Sequence, residues 1–561
     1  MRKACLSIVL TVCCFPVFSQ DFQWAKNFGG YEIDKANSMA VDPAGNVYVT
    51  GAFEYTADFD PGPGVFSLTS QGGVDLFVCK LDPSGNFCWA GAIGGNYDER
   101  GHEVAVNSEG EVVVTGSFRG VMDFDPAPAG VFEMESVDSY DAFVLKLDKD
   151  GKFLWARQLG SMARTQAYSI TVDPGGNIYT TGYFDGTGDF DPGPDTFAMT
   201  SALFSSNTFI SKLDPDGAFV WAKNIGGGNT VPQKISLDLH GNVYVTGEFR
   251  DATDFDPGPD FANILSIAGS ADAFVLKLDT AGDYVWAKRL GGIDGDFGNS
   301  VAVDANGNVY TAGYFKGECN FNPDPANPFR LQAVGNYDIF ISKLDENGQF
   351  VWAKSIGTTS NETPYGIALD AAADVYITGQ FLFTTDFDPG PGVFNLTSVG
   401  NYDVFLLKLD TGGDFIAASA VGGGNPDGGE SVWVDPAGNI YIAGFFRNGC
   451  DFDPGWMDHS IASNGLQDAF VLKLGQPNAD AADILSQPML VFPNPAKDET
   501  WVQVPFSSRW QVELFDAMGN QVQSIHAGTD RIRLELKDLV PGVYFIRASD
   551  GWHTWSARLL R

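Results

Sequence analysis

Short apolar runs of β type alternate with turn residues along most of the chain. In the first example, residues 37–41 and 47–53 are joined by the turn Asp42-Pro-Ala-Gly45-Asn. The Asp side chain bonds to the backbone that follows it, Pro fixes φ, and Gly takes the left-handed position, so the pattern predicts a hairpin. A second hairpin follows, with residues 75–82, a turn at Gly85 and a segment containing Trp89. The pattern therefore predicts a unit of four strands.

This unit recurs at a nearly constant spacing. Trp24 is followed by Trp89, Trp155, Trp221, Trp286 and Trp352, each 65 or 66 residues further on. The first hairpins begin near residues 37, 102, 168, 233, 299, 365 and 430, which gives seven units. A period this regular is typical of repeat architectures. The sixth unit departs from it, with Ala417 at the Trp position and no turn Gly between Asp370 and Asp374, so we expect a looser outer strand and turn there.

The two ends of the repeat region complement each other. The seventh unit stops at Lys473-Leu474-Gly475 without a Trp segment, while residues 22–27 have the sequence of that missing strand. A linear solenoid would leave two ends that need caps, whereas a ring hides its edge strands. We therefore predict an all-β protein built on a seven-bladed β-propeller with four-stranded blades, closed by the N-terminal strand.

The repeat motif resembles a known family. Asp-Ala-Phe-Val-x-Lys-Leu-Asp-x-x-Gly-x-x-x-Trp (272–286) precedes Gly-Gly, then Val-Asp-x-x-Gly-Asn-Val-Tyr-x-Thr-Gly and Asp-Phe-Asp-Pro. This order is similar to the SBBP-type β-propeller repeat of bacterial secreted proteins, over residues 21–475. The resemblance implies the propeller fold and says little about activity.

A smaller all-β region is predicted after a linker at residues 476–487. Its motifs are Pro-Asn-Pro-Ala, a Leu-Phe-Asp-x-x-Gly turn, Leu-x-x-Gly-Val-Tyr and a basic last residue. Residues 488–561 are thereby similar to the type A C-terminal sorting domain of the type IX secretion system. The resemblance implies a small immunoglobulin-like β-sandwich, recognised by the secretion machinery through a sorting motif at Pro493, Asn494, Pro495, Gly542, Tyr544 and Arg561.

Charge and the N-terminal segment indicate partners and compartment. The chain has 71 acidic and 34 basic residues and a formal net charge of −37, which disfavours nucleic acid and anionic membrane surfaces as partners. A basic start followed by the apolar run 4–18 predicts a signal peptide at residues 1–20. No later apolar run reaches 18 residues, so we predict no transmembrane segment in the mature chain. The protein is expected to be secreted or to lie on the outer cell surface.

Few cysteines are left outside the predicted signal. They are Cys79, Cys88, Cys319 and Cys450, which is no disulfide framework and has no zinc-ligand spacing. Cys79 and Cys88 flank one predicted hairpin turn, and the sequence leaves open whether they are bridged.

The most suggestive constellation for chemistry is the loop Asp-Phe-Asp-Pro. Paired carboxylates two residues apart suit a hard cation such as calcium. The alternative, which we favour, is that Asp caps the turn, Phe fills the space between blades and Pro stiffens the exit. No cofactor is expected to be required. The calcium candidates are Asp58, Asp60, Asp123, Asp125, Asp189, Asp191, Asp254, Asp256, Asp386, Asp388, Asp451 and Asp453, with Asn320 and Asn322 at the equivalent places in the fifth unit.

The other polar residues give no catalytic set. A Lys recurs in the third strand of every unit, from Lys80 to Lys473, which indicates a repeated structural role, most simply pairing with a carboxylate. The Trp series is expected to anchor packing. The five histidines fall at unrelated places in the repeat, and the chain contains no nucleophile elbow, metalloprotease helix or phosphate-binding loop. No catalytic or cofactor-binding residue is predicted.

Two classes of function remain. The first is a non-enzymatic, secreted or cell-surface β-propeller protein that binds or adheres to an unidentified extracellular ligand, either a glycan or a protein, and is exported by the type IX machinery. The second is a secreted enzyme, a hydrolase or a quinoprotein-like enzyme, on the same scaffold. Non-repeated polar side chains in the axial channel would favour the enzyme, whereas near-equivalent loops would favour binding.

Overall fold

The computed structural model describes residues 21–258, 263–455, 458–475, 490–492, 496–504, 510–516, 521–527, 531–537, 539–549 and 554–561. Every regular element in these ranges is a β-strand. The described residues form two compact units, the larger being Phe22–Pro454 with Asp458–Gly475, and the smaller lying within Gln476–Arg561. The predicted signal peptide and linker lie outside the described residues.

The strands of the larger unit are short and follow the predicted repeat. Those of the first half are β1 (Asp21–Gly30), β2 (Lys35–Val41), β3 (Val47–Asp58), β4 (Ser67–Leu81), β5 (Phe87–Gly95), β6 (Arg100–Val106), β7 (Val112–Asp123), β8 (Glu133–Leu147), β9 (Phe153–Ser161), β10 (Thr165–Val172), β11 (Ile178–Phe184), β12 (Thr187–Asp189), β13 (Ala198–Thr200), β14 (Asn207–Leu213), β15 (Phe219–Ile225), β16 (Thr230–Leu237), β17 (Val243–Phe249), β18 (Thr253–Asp254) and β19 (Ile264–Leu265).

The second half continues the same series. Its strands are β20 (Asp272–Leu278), β21 (Tyr284–Gly292), β22 (Asp296–Val303), β23 (Val309–Phe315), β24 (Glu318–Asn320), β25 (Arg330–Gln332), β26 (Asp338–Leu344), β27 (Phe350–Ile356), β28 (Thr363–Leu369), β29 (Val375–Phe381), β30 (Thr384–Asp386), β31 (Asn395–Thr397), β32 (Asp403–Leu409), β33 (Phe415–Gly423), β34 (Gly428–Val434), β35 (Ile440–Phe446), β36 (Gly449–Asp451), β37 (Ser460–Ala462) and β38 (Asp468–Gly475).

The larger unit repeats one antiparallel pairing order. The order is β2-β3-β4-β5 in the first repeat, and it recurs as β6-β7-β8-β9, β10-β11-β14-β15, β16-β17-β20-β21, β22-β23-β26-β27 and β28-β29-β32-β33. The last set is β34-β35-β38, and β1 lies hydrogen-bonded beside β38. The N-terminal strand therefore occupies the fourth place of the last repeat.

The first strands of successive repeats lie against one another. Contacts join β2 to β6, β6 to β10, β10 to β16, β16 to β22, β22 to β28, β28 to β34, and β34 back to β2. Each first strand contains a β-bulge at which one residue is skipped in the register. A bulge re-aims one side chain without ending the strand, and here it does so at the same place in every repeat.

The turn between first and second strands is built as the sequence predicts. Asp42 Oδ1 accepts hydrogen bonds from the backbone N–H groups of Ala44 and Asn46, both at 2.9 Å, and Gly45 has φ of 85°. The carboxylate therefore caps the turn, and the left-handed position needs Gly because it has no Cβ to clash.

The sixth repeat forms the same turn without Gly, so the looser turn that we expected there is wrong. Asp370 Oδ1 accepts from the N–H groups of Ala372 and Asp374 at 2.9 and 3.0 Å, and Ala373 has φ of 63°. The side-chain bonds of Asp370 hold the backbone in a conformation that costs an L-residue roughly 1–2 kcal/mol.

Replacing Ala373 by Gly should therefore stabilise the protein. We expect an increase of about 1 kcal/mol in the free energy of unfolding, because Gly adopts this φ without a Cβ clash. Chemical denaturation of the two proteins measures the difference. Ala372→Gly, one residue earlier in the same turn, is the matched control and should not stabilise.

The smaller unit contains two sheets. Its strands are β39 (Leu490–Phe492), β40 (Glu499–Gln503), β41 (Trp510–Phe515), β42 (Gln521–Ala527), β43 (Arg531–Glu535), β44 (Val543–Ser549) and β45 (Thr554–Leu560). One sheet has the order β39-β40-β43 and the other β42-β41-β44-β45. Trp510, Val502, Leu514, Leu534 and Ile546 are buried in a single hydrophobic cluster drawn from both sheets.

Candidate functional site

A cavity of about 570 Å³ lies at the bulged ends of the first strands, and we call it the central pocket. All seven first strands contribute to its wall. The residues at the bulges are Asn37, His102, Tyr168, Gln233, Asn299, Tyr365 and Glu430, and all of them line the pocket. Equivalent backbone positions therefore present non-equivalent side chains to one space.

Some of these side chains also join neighbouring repeats. Asn37 donates from Nδ2 to the Gly101 carbonyl oxygen at 2.9 Å, and Asn299 donates to the Pro364 carbonyl at 2.8 Å. His102 Nδ1 donates to the Ala167 carbonyl oxygen at 2.7 Å. Burial lowers the pKa of His102 to about 4, so its imidazole is neutral at physiological pH.

The charged groups of the central pocket are paired. Glu103 bonds to Lys234, and its second oxygen accepts from the Ile170 N–H at 2.8 Å. Glu430 forms an ion pair with Lys35 at 2.9 Å. Each carboxylate in the lining is thus balanced by one ammonium group, and the pocket is locally neutral although the chain carries a net charge of −37.

A second cavity of about 310 Å³ continues from the central pocket between the same strands. Its lining is largely apolar and includes Val106, Val172 and Leu369. Glu103 and Lys234 line both cavities. The ion pair therefore stands at the boundary between a polar cavity and an apolar one.

Each Asp-Phe-Asp-Pro loop is closed by its own side chains. Asp386 Oδ1 accepts from the N–H groups of Asp388 at 3.1 Å and Phe394 at 2.7 Å, and Asp388 Oδ1 accepts from Gly390 at 2.8 Å. The intervening Phe387 is fully buried. Equivalent pairs of bonds to the first side chain occur at Asp58, Asp123, Asp189, Asp254, Asn320 and Asp451.

The fifth repeat shows that the capping hydrogen bonds of this loop do not require a negative charge. Asn320 Oδ1 accepts from Asn322 and Phe329 at 3.2 and 2.9 Å, as the aspartates do elsewhere. An amide oxygen is therefore sufficient for this loop. Among the described residues, no group of three or more acidic, His or Cys side chains is placed to hold a metal. Calcium binding by the loop aspartates stays a prediction.

Two substitutions at one position distinguish capping from calcium binding. Asp386→Ala removes the acceptor of two backbone N–H groups and should lower the free energy of unfolding by about 1 kcal/mol. Asp386→Asn keeps an acceptor and should have little effect. We also expect the melting temperature to be the same with and without EDTA. A melting temperature that falls in EDTA, and falls by less in Asp386→Asn than in the parent, would show instead that the loop binds calcium.

The repeated Lys and Trp join successive repeats. Lys277 and Trp286 both donate to the carbonyl oxygen of Glu346, at 3.2 and 3.1 Å, and the Lys277 ammonium lies 5.1 Å from the centroid of the Tyr244 ring. Across the closure, Lys473 and Trp24 both donate to the Pro83 carbonyl. The expected pairing of each Lys with a carboxylate is therefore wrong for most repeats, because the ammonium bonds to a carbonyl of the next one.

Two of these lysines do pair with acids. Lys146 lies 2.7 Å from Glu111, and Lys408 lies 3.0 Å from Asp374. In the sixth repeat, which has Ala417 in place of Trp, the carboxylates provide partners for Lys408. The anchoring role expected for the Trp series agrees with the hydrogen bonds that Trp24, Trp89, Trp155, Trp286 and Trp352 make to the next repeat.

The two cysteines that flank one predicted hairpin turn are not bridged. Cys79 is buried, Cys88 is exposed, and both are free thiols.

Part of the predicted sorting motif lies in the described residues. Gly542 and Arg561 exchange two backbone hydrogen bonds of 2.9 and 3.0 Å, and the buried Tyr544 donates to the Val540 carbonyl at 2.8 Å. The Pro-Asn-Pro part of the motif, Pro493, Asn494 and Pro495, lies outside the described residues.

Two family models match this chain. The β-propeller repeat model matches residues 23–52, 154–190 and 285–314. The secretion system C-terminal sorting domain model matches residues 490–560. The chain therefore contains SBBP-type β-propeller repeats and a C-terminal sorting domain of the type IX secretion system, and secretion or an outer cell-surface location follows from that domain. No helix in the described residues has the length and apolar character needed to span a bilayer.

Curated relatives share the sequence only in part. The chain is 24% identical over 504 residues to an uncharacterized WD repeat-containing protein, L264, of Acanthamoeba polyphaga mimivirus, which covers 76% of this chain and 36% of the relative. It is 26% identical over 294 residues to the regulatory protein FlaEY of Caulobacter vibrioides, covering 50% and 29% respectively. The chain spans about a third of the length of these relatives.

Solved structures show a general likeness. The WD40 domain of Pan2 from Neurospora crassa matches at 9% identity and a TM-score of 0.39, covering 81% of this chain and 96% of that one. PorZ, described as a surface component of the type IX secretion system of Porphyromonas gingivalis, matches at 12% identity and a TM-score of 0.16, covering 95% and 99%. Neither likeness bears on the function of this chain.

Proposed function

We propose that this protein is a secreted or outer-cell-surface binding protein that holds an extracellular ligand in the central pocket. The observation that carries the proposal is that the seven equivalent bulge positions, all lining one cavity, are occupied by five different residue types. A purely structural repeat would be expected to use the same residue each time. A rigid scaffold with variable side chains at one place is instead typical of a functional site, and the pairing of its charged groups, described below, favours binding over catalysis.

The architecture we propose is a seven-bladed propeller closed by β1. The place of β1 beside β38 and the contacts of β34 with β2 support closure. Asn27 Nδ2 also donates to Asp468 Oδ2 at 2.8 Å, between the first strand and the last. The central pocket is then the axial channel. For the smaller unit we propose an immunoglobulin-like sandwich, because two sheets share one core.

The proposed domain organisation follows the sequence motifs. It comprises a signal peptide at residues 1–20, the propeller at 21–475, a linker at 476–487 and the sorting domain at 488–561. The sorting domain implies engagement with the type IX machinery. The propeller is then the part of the chain that meets the extracellular ligand.

Binding is favoured over catalysis because the carboxylates and the histidine of the pocket are already engaged. Glu103 and Glu430 are each paired with a lysine, and His102 bonds to a carbonyl group. A general acid or base needs a proton-transfer position facing the substrate. The secreted enzyme remains the second candidate, since the non-repeated polar cluster in the channel is the feature expected of it.

A ligand screen of the full secreted chain against glycans, peptides and proteins tests the proposal. Gln233→Trp is the diagnostic variant, because it places a large ring in the pocket at a side chain that is exposed in the free protein. We expect at least one ligand whose binding is lost in Gln233→Trp while the melting temperature is unchanged. Binding that never depends on the pocket would contradict the proposal, and reproducible turnover of a bound ligand would favour the enzyme.

A further inference from the structure

The central pocket offers amide groups that are only partly used. Gln233 has no side-chain hydrogen bond to any described residue, and its side chain is exposed to the cavity. Asn37 and Asn299 each use Nδ2 for a neighbouring carbonyl, which leaves the amide oxygen free of described partners. Amides donate and accept equally well and carry no charge, so they suit a ligand with hydroxyl groups.

Aromatic rings form another part of the wall. The Tyr314 ring stacks on Phe297 with centroids 4.7 Å apart, and Tyr337 meets Tyr314 edge to face at 5.2 Å. Tyr365 lies on the adjoining first strand and has no described hydrogen-bond partner for its hydroxyl. Rings held by their neighbours provide rigid apolar faces with a polar edge, at a low cost in conformational entropy.

The charged side chains of the pocket are paired with one another and therefore do not favour a charged ligand. Its two carboxylates are balanced by Lys234 and Lys35, and its one histidine is neutral. An anion or a cation would have to compete with an existing ion pair to find a partner. The cavity volume, about 570 Å³, falls within the range of about 300–1,000 Å³ usual for small-ligand sites.

We propose that the central pocket binds a neutral carbohydrate, with one or a few sugar residues of a glycan seated against Tyr314, Tyr337 and Tyr365. The amides of Gln233 and Asn299 and the Tyr365 hydroxyl bond to the sugar hydroxyls. This inference rests on the proposed function, since it names the ligand class of the same pocket. Most residues that line the second cavity are apolar, so we place the sugar in the central pocket.

Isothermal titration of the full chain with two series of oligosaccharides tests the ligand class. The neutral probes are maltohexaose, cellohexaose, xylohexaose, mannohexaose and chitohexaose, and the anionic probes are oligogalacturonate, oligoalginate and a heparin hexasaccharide. We expect at least one neutral probe to bind at least tenfold more tightly than every anionic probe. Binding should change little between 50 and 500 mM NaCl, because no ion pair is formed with the ligand.

Variants then place the sugar in the pocket. Tyr365→Ala should weaken binding of the preferred probe at least tenfold, and Tyr365→Phe should weaken it less, because the ring remains. Tyr55→Ala is the matched control, since Tyr55 is an exposed tyrosine that does not line the pocket. Equal melting temperatures of the variants and the parent show that the fold is intact.

The results separate the two proposals. Tight pocket-dependent binding of an anionic probe, or of a peptide from the wider screen, overturns the carbohydrate inference and leaves the binding function standing. Sugar binding that survives both Tyr365→Ala and Gln233→Trp overturns the placement in the pocket. A screen in which no ligand of any class is sensitive to Gln233→Trp overturns the proposed function itself.

Discussion

Replacing Phe28 by Ala is expected to lower the free energy of unfolding by about 3–5 kcal/mol, the range for removal of a buried Phe side chain. Phe28 lies on β1 and is 1% exposed. Its ring centroid is 5.9 Å from that of Phe59 and 5.7 Å from that of Phe77, both in the first repeat. Its hydrophobic cluster also contains Val471 of the last repeat. Phe28→Ala therefore removes packing at the junction between the first and the last repeat.

Chemical denaturation of Phe28→Ala measures this effect. Tyr31→Ala is the matched control, because Tyr31 follows β1 directly but is 75% exposed, and it should change stability by less than about 0.5 kcal/mol. If Phe28→Ala were as mild as Tyr31→Ala, β1 would contribute little to the fold, and the account of the junction would be wrong.

The stability of the protein is expected to fall as the pH rises from about 4 to above 7. The cause is a set of buried carboxyl pairs at the junctions between repeats. In one pair, Asp403 and Asp427 are buried, and Asp403 Oδ1 has no hydrogen-bond partner in the described structure. Burial raises the pKa of each to about 7, and the charge of Asp403 adds to the effect on Asp427, against the attraction of Arg447.

The sign follows from proton linkage. An unfolded aspartate loses its proton near pH 3.8, whereas these folded ones keep it until about 7. Between these values the folded state binds more protons, so stability is fully present below about 4 and is lost towards 7. Each pKa unit corresponds to about 1.4 kcal/mol, so the total change is on the order of several kcal/mol. The pairs are Asp34/Asp468, Asp75/Glu99, Asp272/Asp296, Asp338/Glu362 and Asp403/Asp427.

The third repeat supplies the variants for this experiment. Asn207 occupies the place of the aspartates there, so an amide is tolerated at that position. We expect Asp403→Asn to flatten the dependence of stability on pH, and Asn207→Asp to steepen it and to destabilise more at pH 8 than at pH 5. Denaturation curves at both pH values measure this. A protein more stable at pH 8 than at pH 5 would contradict the account.

The repeat itself could be predicted from the sequence because its positions have the same job in each unit. The turn aspartates, the turn glycines and the Trp strands recur at one spacing, and the structure places them in equivalent hairpins. The truncated last unit likewise indicated the strand that β1 provides. The turns are determined by residues that are close in the sequence, and the missing strand is found when the last repeat is compared with the others. Local chemistry and periodicity were therefore sufficient to predict both.

The central pocket could not be predicted in this way, because its residues are those that do not repeat. The hairpin starts near residues 37, 102, 168, 233, 299, 365 and 430 were visible as positions in the period. A bulge has no sequence signature here. The sequence therefore could not show that the side chain at this position lines the central pocket. The one sequence signal for the pocket is that the residue at this position differs between repeats, whereas the turn and Trp positions are nearly constant.

The role of the recurring Lys was also beyond sequence reasoning. Its partner is most often a backbone carbonyl about 69 residues away, as for Lys277 and Glu346, and a carbonyl leaves no trace in the sequence. The capping role of the loop aspartates could be predicted, because aspartate is a common turn residue for purely local reasons. The structure then shows that Asn320 accepts the same two backbone hydrogen bonds in the fifth repeat.

Native-state amide hydrogen exchange of residues 22–28 tests the central claim, that the N-terminal strand is an integral part of the last repeat. We expect those amides of residues 22–28 that are hydrogen-bonded to β38 to be as well protected as the amides of residues 468–474, and to exchange with the same free energy of opening, because adjacent paired strands open together. Rapid exchange of 22–28 beside a protected 468–474 would contradict it.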